Sequence, residues 1–281
     1  MSSVRPITLI EVGPRDGLQN EASQVPTAVK IAYVDALSMA RLPEIEVSSF
    51  VSPRWVPQLA DAADVFAGIT RRDGTRYTAL VPNTQGMERA LACGVDGVAV
   101  FTAASETFTQ RNINASIAES LERFVPVFAA SPVPVRGYLS TAFHCPFEGP
   151  VSPDAVLRIA LALLELGAAE VSVSDTIGRA SPDDVRRVLE VLLPEIPPAR
   201  LALHFHDTFG RARENAEAGA ALGITTFDGS TGGIGGCPFA PGAAGNIATE
   251  SLAELFDGCT GVDRAALAEA ASLIKPWRAL R

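Results

Sequence analysis

The stretch AEVSVSDTIGRASPDDVRRVLEVLLPEIPPARLALHFHD, residues 169–207, contains two short β-rich runs separated by a longer segment. The runs are AEVSVSD (169–175) and LALHFHD (201–207), and both have the length and composition of strands. Between them, Ser181-Pro182 is typical of a helix N-cap followed by proline at the first helical position. The stretch therefore predicts a strand, a crossover helix and a second strand parallel to the first.

The same alternation of a β-rich run and a segment of helical period recurs along the whole chain. Apolar residues at helical spacing predict crossover helices over 27–42 and 152–168, the second beginning with Ser152-Pro153. Eight such units in 281 residues favour an α/β fold of the (β/α)8 TIM-barrel type, with a doubly wound open sheet as the alternative. The six further predicted strands are 7–12, 44–49, 77–81, 97–101, 135–143 and 225–230.

The organisation predicts a single domain over residues 1–281, because no Pro/Ser-rich linker or low-complexity stretch divides the chain. The glycine-rich segment 229–245 follows the last predicted strand and can form a loop that closes over a ligand. A phosphate cradle of backbone N–H groups is the alternative for such a loop. The C-terminal SLIKPWRALR (272–281) fits either a frayed helix end or a packing segment.

Composition narrows the partners and the compartment. A formal net charge of −9 with scattered basic residues argues against a nucleic-acid partner. The N-terminal apolar run is too short for a signal peptide, and no segment approaches membrane-spanning length. We expect a cytoplasmic protein in a reducing compartment, because its four cysteines have no paired spacing: Cys93, Cys145, Cys237 and Cys259.

Metal-ligand residue types occur at the ends of the predicted strands, where a parallel barrel forms its active site. His204 and His206 lie two residues apart in a strand, so both imidazoles can reach one ion. A polar strand end without metal is the alternative, but two of the chain's three histidines share this spacing. After the first strand, GPRDG (13–17) places Arg15 beside Asp16, which by itself is more typical of a plain turn.

Four segments together resemble the 3-hydroxy-3-methylglutaryl-CoA lyase family, over about residues 5–262. The resemblance implies cleavage of that thioester to acetoacetate and acetyl-CoA, as in leucine degradation, by a carbon–carbon lyase. Isopropylmalate and homocitrate synthases share the Arg-Asp pair and the His-x-His strand, so only the cysteine-containing loop indicates the lyases. The segments are GPRDGLQNE (13–21), SSFVSPRWVPQLAD (48–61), HFHDTFG (204–210) and GGCPFAPGAAGNIATE (235–250).

The resemblance also implies a divalent metal ion, Mg²⁺ or Mn²⁺, held by Asp16, His204, His206 and Asn246. Such oxygen and nitrogen ligands suit these ions, and Zn²⁺ is also chemically possible. Positions left open on the metal would take the substrate hydroxyl and an adjacent oxygen, and the ion would lower the pKa of that hydroxyl.

A retro-aldol cleavage needs a base, a cation for the developing enolate, and an acid. The resemblance implies Asp175 as the base or the group that orients it, with His204 as the alternative base. Arg15 would stabilise the oxyanion, Glu46 would fix Arg15 or the substrate, and Cys237 would donate the final proton. Capping the next helix is an equal alternative for Asp175 and Glu46, and burial as a small apolar residue is the alternative for Cys237.

Gln19 and Glu250 are the remaining implied positions, both for binding the acyl-CoA, and Glu250 could also hold the glycine-rich loop closed. Barrels of this family are often dimers, which makes a homodimer an expected assembly. Other functions stay open: a lyase for another branched 3-hydroxyacyl-CoA, an acyl-CoA condensing enzyme, or a metal-binding barrel without turnover. The first alternative arises because the chain departs from the family pattern at Ala22, Gln85, Thr141, His144, Phe239 and Ala244.

Overall fold

A closed barrel of eight parallel strands forms the centre of the computed structural model, which describes residues 5–236 and 245–278. Each strand pairs with the next along the chain, and the last pairs with the first. The TIM-barrel prediction is therefore confirmed. The strands are β1 (Thr8–Glu11), β2 (Glu44–Ser49), β3 (Arg76–Leu80), β4 (Gly97–Ala103), β5 (Val135–Ser140), β6 (Glu170–Asp175), β7 (Leu201–Phe205) and β8 (Thr226–Gly229).

Helices connect the strands and surround the barrel. Ser181 begins one of them with a reciprocal capping box to Asp184, as the Ser-Pro pattern predicts. Ser152 is the N-cap of another, which ends at Gly167 in the left-handed region, where glycine has no Cβ penalty. The helices are α1 (Thr27–Met39), α2 (Ala62–Gly68), α3 (Thr84–Ala92), α4 (Glu106–Ile113), α5 (Ile117–Ala130), α6 (Pro153–Leu166), α7 (Pro182–Leu192), α8 (Ala212–Ala221), α9 (Thr249–Leu255) and α10 (Arg264–Ile274).

Several predicted elements end one to three residues earlier than the sequence pattern indicates. The strand predicted over 135–143 stops at Ser140, because Thr141 adopts a φ of 53°. The helix predicted over 27–42 stops at Met39, and Arg41 takes a φ of 59°. The strand predicted over 201–207 stops at Phe205, and His206 instead pairs with Asn246 in an isolated antiparallel bridge.

The apolar core lies between the barrel wall and the helices, where for example Leu139 and Leu163 are fully buried. The barrel interior is different in character. Arg136 on β5 donates to Asp228 on β8, three strands away, so both side chains point into the barrel. None of the helices in the described part of the chain is long and apolar enough to cross a membrane.

Candidate metal and active site

A tight turn after β1 carries Arg15 and Asp16. Residues Gly13–Gly17 form one π-helical turn, in which the backbone N–H groups of Arg15, Asp16 and Gly17 all donate to the Val12 carbonyl at 2.7–3.2 Å. Single π-helical turns of this kind are frequent at functional sites. The segment therefore forms a less common structure than the plain turn favoured by its sequence alone.

Asp16, His204 and His206 converge at the carboxyl end of the barrel. One ligand atom from each side chain lies within 4.8 Å of the others, and the two imidazole centroids are 5.3 Å apart. Burial would raise the pKa of Asp16, but the Arg15 guanidinium and the two histidines outweigh it and lower that pKa well below its usual range. The site thus offers a carboxylate and two imidazoles that could hold a metal ion.

Asn246 joins this group from the far end of the glycine-rich loop. Its Nδ2 donates to Asp16 Oδ2 at 2.9 Å and to the Ile234 carbonyl at 3.2 Å, while its buried Oδ1 has no hydrogen-bond partner within residues 5–236 and 245–278. Gly235 has a φ of 97°, and a Cβ there would lie 2.7 Å from the Asn246 Nδ2. Glycine is therefore required where the loop meets Asn246. The orphaned Oδ1 and the oxygen and nitrogen donors around it fit a hard divalent ion.

Arg15 is held in place by Glu46 and Tyr138. Its Nε donates to Glu46 Oε2 at 2.6 Å, and Tyr138 donates its hydroxyl to the same oxygen at 3.1 Å. The guanidinium also lies 5.0 Å from the Tyr138 ring centroid. Burial raises the pKa of Glu46 although Arg15 opposes the shift. Glu46 thus contacts Arg15 directly, which favours that role over capping the next helix.

A second buried charge cluster was not predicted from the sequence. Asp228 accepts from Arg136 at 2.7 Å, from Ser172 at 2.8 Å, and lies 3.3 Å from His204 Nδ1. Burial would raise the pKa of Asp228, but Arg136 outweighs it and lowers the pKa. A signal was available, because VRGYLS places polar Arg136 and Tyr138 on the same face of a buried strand.

Asp175 ends β6 and is fully buried. Its two oxygens accept from the backbone N–H groups of Arg179 at 3.1 Å and Ala180 at 2.9 Å, just before α7. Burial raises its pKa to about 7, although these two hydrogen bonds and His204 oppose the shift. These two hydrogen bonds are the contacts expected of a carboxylate that caps the next helix. The raised pKa of Asp175 also suits a general base.

Glu11 connects both ends of the glycine-rich loop to the turn that carries Arg15 and Asp16. It accepts from the backbone N–H of Gly13 at 2.8 Å and of Thr231 at 2.9 Å, and from the hydroxyls of Thr231 at 2.5 Å and Thr249 at 2.6 Å. Burial raises the Glu11 pKa to about 7 against these four hydrogen bonds. Glu11 was not among the site residues predicted from the sequence.

The remaining predicted positions lie around this centre. Gln19 is half-buried directly after the π-helical turn. Both carboxylate oxygens of Glu250, on α9, lie 3.0 Å from the Gly232 N–H at the start of the loop. Cys237, Phe239 and Ala244 lie outside the described residues.

The other departures from the family pattern occupy different environments. Ala22 and Gln85 are exposed, whereas Thr141 is fully buried. His144 belongs to a short hairpin, His144–Cys145 with Gly149–Pro150, and its Nε2 lies 3.6 Å from Asp184 on α7. His144 therefore contacts the N-terminus of a crossover helix.

Comparisons with known proteins show which family the chain resembles. The HMGL-like family model matches residues 6–274. The 3-hydroxy-3-isohexenylglutaryl-CoA/hydroxymethylglutaryl-CoA lyase of Pseudomonas aeruginosa is 52% identical, over 98% of this chain and 93% of that protein. The crystal structure of the HMG-CoA lyase from Brucella melitensis superposes with a TM-score of 0.96 and 47% identity, covering 98% of this chain and 99% of the other.

A further solved structure has ligands. The HMG-CoA lyase from Acinetobacter baumannii, in complex with coenzyme A and 3-methylmalate, has a TM-score of 0.92 and 36% identity, covering 99% of this chain and 92% of the other. Both the family model and these relatives extend over nearly the whole chain. The chain therefore belongs to the HMGL-like family of carbon–carbon lyases, together with the 3-hydroxy-3-methylglutaryl-CoA lyases.

Proposed function

We propose that this chain cleaves 3-hydroxy-3-methylglutaryl-CoA to acetoacetate and acetyl-CoA, as an enzyme that depends on a divalent metal ion. The observation that carries the proposal is the convergence of Asp16, His204 and His206 within 4.8 Å beside the buried cation Arg15. A retro-aldol reaction needs these two kinds of group together, one for the substrate oxygens and one for the enolate charge.

The proposed metal ligands are Asp16, His204, His206 and the Oδ1 atom of Asn246. Two oxygens and two imidazole nitrogens favour Mg²⁺ or Mn²⁺ over a soft ion that prefers thiolate ligands. When bound, such an ion supplies Lewis-acid polarisation of a substrate hydroxyl and a neighbouring oxygen. The protein's part is to fix the ligand directions, for which the Asn246 contacts with Asp16 and with the Ile234 carbonyl provide support.

Arg15 is proposed to stabilise the negative charge that develops on the thioester oxygen. Its side chain is buried and oriented by Glu46, so little reorganisation is needed as charge appears. Cys237 is proposed to protonate the resulting enolate carbon. Gln19 and Glu250 are proposed to support the bound acyl-CoA, the latter through its contacts with Gly232 in the loop.

Asp175 is proposed as the base, which leads to a pH prediction. Burial raises its pKa to about 7, so the carboxyl must lose a proton before it can accept one from the substrate. We expect kcat/KM to rise with pH through about 7. Asp175→Asn should abolish this rise and lower kcat about 10²-fold. Asp183→Asn, at an exposed carboxylate on α7, is the matched control, and a profile unchanged in Asp175→Asn would assign the base elsewhere.

The test of the proposed reaction is acetyl-CoA release from 3-hydroxy-3-methylglutaryl-CoA by the purified protein, with Mg²⁺ or Mn²⁺ and after EDTA treatment. Robust release that EDTA abolishes and added metal restores is the expected result. A protein that binds metal but shows neither release nor a change in melting temperature with the acyl-CoA would instead be a barrel without turnover.

A longer substrate branch is the second candidate, because the Pseudomonas aeruginosa relative at 52% identity is named for 3-hydroxy-3-isohexenylglutaryl-CoA as well. The same assay with that thioester separates the two cases. Comparable kcat/KM for both substrates would indicate a dual enzyme, and release from the methyl compound alone would restrict the pocket to the short branch.

The proposal also covers the setting of the enzyme. The barrel, with α9 and α10 packed on it, is proposed to be the chain's single domain and to act in the cytoplasm. A homodimer stays a prediction, which light scattering of the purified protein would test.

A further inference from the structure

The carboxylate of Asp228 lies directly against His204 inside the barrel. The two residues are paired in the register of β7 and β8, and Asp228 is only 1% exposed. The Asp228 Oδ2 atom is 3.3 Å from His204 Nδ1. The imidazole nitrogen that faces β8 is therefore Nδ1.

Two other donors fix the position of this carboxylate. Arg136 Nη2 donates to Asp228 Oδ1 at 2.7 Å, and Ser172 donates its hydroxyl to Oδ2 at 2.8 Å. Arg136 is itself held by Glu170 at 2.9 Å. An ionised carboxylate has no hydrogen to donate, so Asp228 beside the Arg136 cation acts toward His204 as an acceptor.

We propose that Asp228 is a positioning residue that keeps the His204 proton on Nδ1 and so directs the Nε2 lone pair toward Asp16 and His206. A neutral imidazole has one N–H and one lone pair, so a donor at Nδ1 leaves Nε2 as the ligand atom. Carboxylates that accept from a ligand histidine in this way fix its tautomer and ring orientation, and strengthen metal binding. The inference rests on the proposed metal site, and is independent of the identity of the substrate.

This arrangement also distinguishes between the two candidate bases. The Nδ1–H of His204 is used by Asp228, and its Nε2 lone pair is used as a ligand. His204 then has no lone pair with which to accept the substrate proton. The base role falls to Asp175, whose carboxylate lies on the neighbouring strand β6.

The tautomer can be observed directly, because the chain contains only three histidines. Nitrogen-15 NMR of the metal-free protein should show His204 protonated on Nδ1, with signals assigned through the variants His144→Gln and His206→Gln. In Asp228→Asn the amide presents its NH₂ either to Arg136 or to His204, and facing His204 it favours the other tautomer. We expect loss of the pure Nδ1–H form and a Kd for Mn²⁺ that is about 10–100-fold higher.

Asp184→Asn is the matched control, because Asp184 lies 3.6 Å from the His144 ring, outside the metal site. It should leave both the His204 signals and the Mn²⁺ affinity unchanged. Asp228→Asn with wild-type Mn²⁺ affinity would overturn the proposal. If that variant does not fold, the wild-type spectrum still decides, because a proton on Nε2 of His204 contradicts the inference. Both readouts are independent of thioester cleavage, so their failure is distinguishable from failure of the proposed reaction.

Discussion

His206→Ala is expected to bind Mn²⁺ at least about a hundredfold more weakly and to lose about 10³-fold or more in kcat, since Lewis-acid stabilisation is worth several kcal/mol. The variant removes one of the three side chains that converge within 4.8 Å. The fold should remain, because the bridge to Asn246 is made by backbone, and the adjacent Asp207 N–H still donates to the Gly245 carbonyl at 2.8 Å. Calorimetric Mn²⁺ titration, kcat and melting temperature are the measurements.

Cys237→Ala is the control for this variant. A thiol is a poor ligand for Mg²⁺ or Mn²⁺ compared with oxygen and imidazole, so its loss should leave metal affinity unchanged while turnover falls. Equal metal occupancy in His206→Ala and Cys237→Ala would contradict the assignment of His206 as a ligand.

Arg15→Gln is expected to lower kcat about 10²–10³-fold, the usual cost of removing one preorganised group that stabilises an oxyanion. It should also destabilise the protein by about 3–5 kcal/mol, because Glu46 is left buried without its cation. The loss of stability complicates the interpretation of the lower kcat, since Glu46 is 1% exposed and Arg15 donates to it at 2.6 Å.

The double variant Arg15→Gln with Glu46→Gln separates the two effects. Neutralising the orphaned carboxyl should recover most of the stability, measured by urea unfolding, without recovering kcat. If the double variant regained turnover together with stability, Arg15 would be a structural residue. Mn²⁺ affinity, measured in parallel, should change less than in His206→Ala, because the ligand set is intact.

The fold could be predicted because its signals are local. Each βα unit can be recognised within a few tens of residues, from a β-rich run and a helix cap such as Ser181-Pro182. Element ends were harder, because Thr141 ends β5 through a left-handed conformation that threonine rarely adopts.

The site was predictable to a lesser extent. His204 and His206 are two residues apart in a predicted strand, and this spacing alone suggested that their side chains share one face. Asp228 and Arg136 are 92 residues apart, and only closure of the barrel brings them into contact. The bridge between His206 and Asn246 depends in the same way on the path of the loop after β8.

Glu11 accepts from Thr231, near the start of the glycine-rich loop, and from Thr249, just after its end, so one carboxylate anchors both ends of that loop. Residues 236–244 could be transplanted from a relative with a different acyl preference, provided that Glu11, both threonines and Asn246 are retained. For redesign of this barrel, keeping these anchor residues would hold the ends of the loop in place while its central sequence is varied.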